Sequence, residues 1–256
     1  MSAALGADYW ATLPLRRDVA LITRDDNGLA AFAKPPGVLS HPNGTEDEAR
    51  ALLTTRYYKE EGEYFEWRTE GGETRRLWLL NRLDSATSGV IRAAATEALA
   101  TEIRAQFKRK QVRKVYHAVV FGAPRQPLEL WRDLLAVDKS GGKIRTATSA
   151  GHVPAESRMT LIRASHGQPR LALIKLEPKT GRSHQLRVQC AKRHLPIVGD
   201  QTYGDFKANR ALAKETGCKR LCLHSSETSF DYEYGGKLHR FAAHAELPPE
   251  FAELAK

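Results

Sequence analysis

The chain is poor in the features that would send it into a membrane or let it hold a metal. No apolar run in its 256 residues approaches the roughly 20 needed to cross a bilayer, and Met1–Trp10 has neither the basic start nor the apolar centre of a secretory leader. A soluble, cytoplasmic protein is expected. Cysteine is scarce. Cys190, Cys218 and Cys222 are odd in number, and Cys218-x3-Cys222 has no second ligand pair at zinc spacing, so reduced, partly buried thiols are expected. His184, His194 and His224 are not at metal-ligand spacing either and are expected to be structural, hydrogen-bonding histidines; no metal is expected. Ser88 does not sit in a Gly-x-Ser-x-Gly elbow, and no repeat or low-complexity tract interrupts the chain. Acidic residues are also in deficit. Thirty Asp and Glu against forty Lys and Arg leave a formal charge of +10, which favours a polyanionic partner over a neutral metabolite.

What is present suffices for a core, with 41% of residues hydrophobic. Leu29–Ala33 and Leu171–Glu177 read as strands from their short apolar runs, and Val115–Phe121 is a β-rich run closed by Gly122. Thr96–Lys110 reads as a helix, with Thr96 as N-cap, Glu97 in the first turn, and Leu99, Ile103 and Phe107 as a buried stripe. Strands separated by isolated helices, without βαβ periodicity, predict an α+β fold with a mixed, mostly antiparallel sheet flanked by helices. Residues 1–18 are too short for a domain and are expected to be an N-terminal extension to a single domain over 19–256. Within that domain the acidic, aromatic stretch 57–76, turning at Gly71-Gly72, is expected to be a surface excursion.

The most informative stretch is Leu80-Asn81-Arg82-Leu83-Asp84-Ser85-Ala86-Thr87-Ser88-Gly89-Val90. It sets a carboxylate and a guanidinium among apolar neighbours, where an ion without a partner costs several kcal/mol. Asp84 is therefore either a turn or N-cap acid of the segment that follows, or a held, reactive group. Five further segments bear on the choice. They are Lys34-Pro35-Pro36-Gly37, Lys114 to Gly122, Thr180 to Val188, Pro196 to Gly204, and Arg220-Leu221-Cys222-Leu223-His224. Taken in this order with Arg82-Leu83-Asp84 and Thr87-Ser88-Gly89, they resemble the signatures of the RluA-type RNA pseudouridine synthases over about residues 30 to 230.

That resemblance implies the same α+β fold and an isomerase that turns a uridine of structured RNA into pseudouridine. The reaction breaks the bond from C1′ to N1, rotates the uracil and rejoins it through C5. No redox step occurs, so no cofactor or metal is called for. A carboxylate beside the sugar is needed, as nucleophile on C1′ or as base at C2′. Residue by residue, Asp84 matches the family's catalytic acid, and Arg187 matches the arginine that pairs with it, where a fixed guanidinium favours the charged carboxylate and sets its orientation. Tyr116 matches the tyrosine that stacks on the flipped base, although by itself it reads as a core strand residue. Arg82 matches an arginine that takes the space the base vacates. Gly181 permits a turn at which Arg182 could meet phosphate.

Arg104, Lys108, Arg109, Lys110, Arg113 and Lys114 put six cations in eleven residues with no acid among them. They are either a phosphate-binding edge, with Lys108, Arg109, Lys110 and Lys114 the chosen contacts, or a solvated helix end favoured by the dipole. Two positions depart from the family pattern: Asn81 stands where His is usual, as does Gln189. Many relatives carry an extra RNA-binding module of the S4 type ahead of the catalytic domain; none is expected here. With the segment Gly204 to Arg210, this favours tRNA over rRNA as the RNA partner of a monomer. A non-catalytic RNA-binding protein, or an N-glycosidase working through Asp84, is the alternative.

Overall fold

The computed structural model of the chain describes residues 7–60, 62–108, 112–138, 145–147 and 153–256. These fall into two compact units, Met1–Val112 with Glu227–Ala245, and Arg113–Ser226 with Glu246–Lys256.

The first unit opens with a short helix α1 (Ala7–Ala11), followed by strands β1 (Ala20–Arg24), β2 (Leu29–Lys34), β3 (Arg56–Tyr58), β4 (Tyr64–Arg68), β5 (Thr74–Leu79) and β6 (Ser88–Ala94). β1 pairs with β2, β2 with β6, and β3, β4, β5 and β6 pair in succession, all antiparallel. Helix α2 (Glu97–Lys108) follows, beginning one residue after the expected start at Thr96. Thr96 caps it as foreseen, its Oγ1 accepting from the Leu99 N–H at 3.3 Å. Arg109 and Lys110 lie outside the described residues.

The side-chain alternation of these strands divides two cores. Ala30 and Phe32 of β2, Leu77 and Leu79 of β5, and Ile91 and Ala93 of β6 enter one cluster. Their neighbours Leu29, Ala31, Trp78, Val90 and Ala94 enter the other, together with Leu99 and Ile103 of α2. A sheet covered on both faces explains why β6 is buried at every position. It also explains two departures from expectation. Residues 7–18 are no loose extension: Tyr9 and Trp10 belong to the first cluster, and Leu15 bridges Leu53. The stretch 57–76 is folded into the sheet, with Phe65 wholly buried and Trp67 nearly so. Its acids mislead because they sit where the meander meets water. Glu60, Glu70 and Glu73 are exposed, Glu66 pairs with Arg76 at 2.7 Å, and the Gly71-Gly72 tip turns as foreseen.

The second unit carries β7 (Arg113–Phe121), β8 (Leu128–Asp138), β9 (Arg145–Ala147), β10 (Val153–Ala164) and β11 (Leu171–Pro178). β7 pairs with β11, β11 with β10, β10 with β8 and β8 with β9, again antiparallel. Gly122 closes β7 at φ 81°, as its place after the β-rich run suggests. Helix α3 (Gln185–Lys192) and helix α4 (Phe206–Thr216) follow. Asp205 caps α4 by accepting from Lys207 and Ala208 N–H, and Gly217 ends it in the left-handed conformation. Strand β12 (Leu223–Tyr234) passes from the second unit into the first, where it pairs with β13 (Lys237–His244), and α5 (Pro249–Leu254) ends the chain. The α+β class with a mostly antiparallel sheet is as expected.

Phe65→Ala is expected to lower the unfolding free energy by about 3 to 5 kcal/mol in a denaturant titration. A loss within about 0.5 kcal/mol would return the segment to the surface.

Candidate active site

Asp84 lies in the first unit, in the irregular stretch between β5 and β6, where its carbonyl accepts from the Thr87 N–H at 3.0 Å to form a turn. The turn is held from beneath. The Lys34 ammonium, 1% exposed at the end of β2, donates to the carbonyls of Ser85 (3.1 Å), Val38 (2.7 Å) and Pro35 (3.0 Å). Gly37, at φ 86°, gives its N–H to the same Ser85 oxygen at 2.7 Å. On the other side the Ser40 hydroxyl donates to Leu83 O at 2.8 Å and accepts from Leu83 N–H at 2.9 Å. Lys34 pairs across the sheet with Gly89, so both ends of the turn are tied to β2. Asp84 thus stands half-buried on a loop whose neighbouring carbonyls are all satisfied by a buried cation and a buried hydroxyl.

Arg82 is exposed. Its Nη1 reaches His41 Nε2 at 3.3 Å and Glu63 Oε1 at 4.0 Å. Burial holds His41 below its ordinary pKa, and the Arg82 charge acts in the same direction. The neutral ring donates from Nδ1 to Pro42 O and accepts at Nε2 from Arg82, while stacking on Tyr57 at 4.8 Å.

The other matched residues lie in the second unit. Arg187, in the first turn of α3, is 7% exposed and grips Asp200 through Nε to Oδ2 (2.8 Å) and Nη2 to Oδ1 (2.7 Å). Oδ1 also accepts from the N–H groups of Thr202 and Tyr203, and the guanidinium lies over the Tyr203 ring at 5.2 Å. Burial alone would raise the Asp200 pKa, but the Arg187 bonds and charge outweigh it and hold the carboxyl below its usual range. The plane of Arg187 is thereby fixed. Tyr116 is on β7, half-buried and opposite Leu176 in register. Lys114 and Arg182 come together: the Lys114 ammonium lies against Gly181, 3.7 Å from where a Cβ would stand, and Arg182 is exposed beside it.

The basic helix does not act as one face. Lys108 is exposed, but Arg104 turns inward and donates to Gly62 O (3.1 Å) and Leu79 O (2.7 Å), and Arg113 pairs with Glu177 at 3.4 Å. The two departures from the family pattern have local partners. Asn81 Oδ1 accepts from the N–H and Nε of Arg92, and Gln189 accepts from Ser157 and donates to Asp133. His184 hydrogen-bonds Tyr203 at 3.0 Å, as expected of a structural histidine, whereas His194 is exposed. All three cysteines are free thiols. Among the described residues no cluster of three metal-binding side chains occurs. Sequence reasoning missed the parts of Lys34 and Asp200. Both lie in the quoted motifs, in Lys34-Pro35-Pro36-Gly37 and Gly199-Asp200, and that was the only signal available.

The chain is similar to several known proteins. A family model described as RNA pseudouridylate synthase matches residues 28–192. The tRNA pseudouridine synthase C of Yersinia pestis is 29% identical over 89% of this chain and 87% of its own length. That of Vibrio cholerae is 31% identical over 83% of this chain and 86% of its own. The human RNA pseudouridylate synthase domain containing 1 has the same fold, with a TM-score of 0.66, 20% identity, and cover of 91% of this chain and 86% of that one.

Arg187→Met strands the Asp200 carboxylate, and is expected to cost about 3 to 5 kcal/mol of stability. Adding Asp200→Asn should restore part of the loss; additive effects in thermal or denaturant melts would mean the pair is not coupled. Because the Asp200 pKa is depressed on folding, its contribution is present above the ordinary value of 3.8 and is lost as pH falls below it. Asp200→Asn should therefore flatten the acid side of the stability profile.

Proposed function

The chain belongs to the RNA pseudouridylate synthase family, isomerases that convert uridine in RNA to pseudouridine, and from that premise we propose that Asp84 is the carboxylate that acts at the ribose of a uridine in tRNA. The observation that carries the assignment is the turn around Asp84, whose backbone is fixed from both sides by Lys34 and Ser40. A carboxylate that must meet C1′ or C2′ gains from a backbone held before substrate arrives, because a misplacement of about 1 Å can cost a hundredfold in rate. Support for tRNA comes from the relatives named above, which are tRNA pseudouridine synthases.

In this reading Asp84 either attacks C1′ or removes the C2′ proton as the C1′–N1 bond breaks; the uracil turns, C5 bonds to C1′ as the Asp84 ester breaks or the proton returns to C2′, and C5 loses its proton while N1 gains one. Tyr116 stacks on the extruded base, worth roughly 1 to 3 kcal/mol. Arg187 pairs with the Asp84 carboxylate, as the family motif implies, and Asp200 orients its guanidinium. Arg82, exposed and steadied by His41, fills the gap left by the base. Lys108, Lys114 and Arg182 meet phosphates, with Arg109 and Lys110 assigned to the same task by sequence alone. The chemistry asks for no cofactor. One copy carries every matched residue, so the enzyme acts as a monomer, and its RNA substrate makes the cytoplasm its expected location. Among the described residues no helix is long and apolar enough to cross a membrane.

The test is base-resolution mapping of pseudouridine in total RNA from cells with and without this protein. Loss of pseudouridine at a tRNA position, regained when the gene is restored, is the expected result. Loss confined to rRNA would overturn the substrate, and an unchanged map would overturn the activity.

A further inference from the structure

Cys218 and Cys222 take no part in the proposed reaction, yet the fold sets their sulfurs 3.6 Å apart. Cys222 is held in place. It is wholly buried, its N–H donates to Val198 O at 2.8 Å, and its carbonyl accepts from Val119 N–H at 3.1 Å. Cys218 is only partly buried, its N–H donating to Thr216 Oγ1 at 3.2 Å. It follows the left-handed Gly217 that ends α4, stands in an irregular segment, and lines a cavity of about 370 Å³ with Ser165, Pro169, Leu212, Glu250 and Lys256. A bonded pair has sulfurs about 2.05 Å apart, so roughly 1.5 Å of movement closes the gap.

We infer that Cys218 and Cys222 form a peroxide-reactive dithiol, in which Cys218 is the attacking thiol reached through the cavity and Cys222 the resolving one. The bond from Cys222 draws the Cys218 thiol down to about 7, and burial acts against this; Cys222 is pushed up correspondingly and keeps its proton. A thiolate fraction at neutral pH is what attacks a peroxide oxygen. The Cys218 thiolate takes one peroxide oxygen, the O–O bond breaks, and the other oxygen leaves as water after gaining a proton. Cys222 then attacks the Cys218 sulfenic sulfur, the S–O bond breaks, and a second water leaves with the Cys222 proton. Two thiols and one hydrogen peroxide give one disulfide and two waters, with two electrons passing from sulfur to oxygen.

Closure acts on the residues between. The Arg220 carbonyl packs so tightly on Gly199 that a Cβ there would stand 1.8 Å from it, and Gly199 leads directly into Asp200, the partner of Arg187. Pulling Cys218 toward Cys222 therefore loads the turn that orients Arg187. This last step rests on the role given to Arg187 above.

The experiment treats the reduced full-length protein with one equivalent of hydrogen peroxide and maps tryptic peptides without reductant. Trypsin cuts after Lys219 and Arg220, so a disulfide links peptide 215–219 to peptide 221–237. The linked pair is expected in the wild type and absent in Cys218→Ser. In Cys222→Ala, Cys218 should remain a sulfenic acid that dimedone labels. Unlinked sulfinic acid on Cys218, earlier oxidation of Cys190, or a disulfide between two chains would overturn the dithiol. The same samples are assayed on whichever RNA the reduced enzyme modifies. Turnover should fall about tenfold on linking and return with dithiothreitol; a linked protein with unchanged turnover would overturn the coupling. Modification of rRNA by the reduced enzyme would count against the substrate reading alone.

Discussion

Lys34 carries an ammonium group into an interior where only 1% of the residue meets solvent. Such a charge costs several kcal/mol to desolvate and survives only if its donors are met. Here three carbonyls meet them, and one belongs to Ser85, the residue after Asp84 and 51 positions from Lys34. A tetrahedral ammonium suits three converging carbonyls as a planar guanidinium would not. The geometry of the proposed carboxylate is thus a consequence of electrostatics beneath the loop. The two-sided core around β2 and β6 supplies the dry setting that makes those bonds strong.

Asp200 does for Arg187 what Lys34 does for the Asp84 loop. A buried ion is tied to a second buried ion and to two backbone N–H groups, so neither can turn without breaking several bonds at once. The backbone around it is as constrained: Gly199 cannot accept a side chain, and its N–H donates to Asn209 Oδ1 at 2.7 Å, while the Asn209 amide returns a bond to Asp200 O at 3.1 Å. Charge pairs of this kind are poor sources of stability but strong sources of orientation. Orientation is what a group acting on one face of a ribose requires.

Much of this was legible in the sequence, and the exceptions have physical causes. β2, β7, β11 and α2 were readable because burial imposes a period on their apolar residues, and the cap at Thr96 because its chemistry is local. Phe65 and Trp67 were missed because the acids around them dominate the composition of the segment, while burial depends on which face each residue takes. Arg104 was grouped with a basic run because a count of charges does not say which way each one points; its carbonyl partners at 62 and 79 are distant in sequence. Lys34 and Asp200 sat inside recognisable motifs, but their roles depend on partners at 85 and 187 that only the fold supplies.

The central claim is that the Asp84 carboxylate performs the isomerisation, and tritium at C5 of the target uridine reports on it directly. Forming the bond from C1′ to C5 expels that hydrogen, so turnover releases tritium to water without releasing uracil. Wild-type protein incubated with C5-tritiated RNA is expected to release tritium in step with pseudouridine formation. Asp84→Asn, which keeps the size of the side chain and removes its charge, should bind the RNA within about 1 kcal/mol of wild type and release none. Near-normal tritium release from Asp84→Asn, or free uracil from the wild type, would contradict the account.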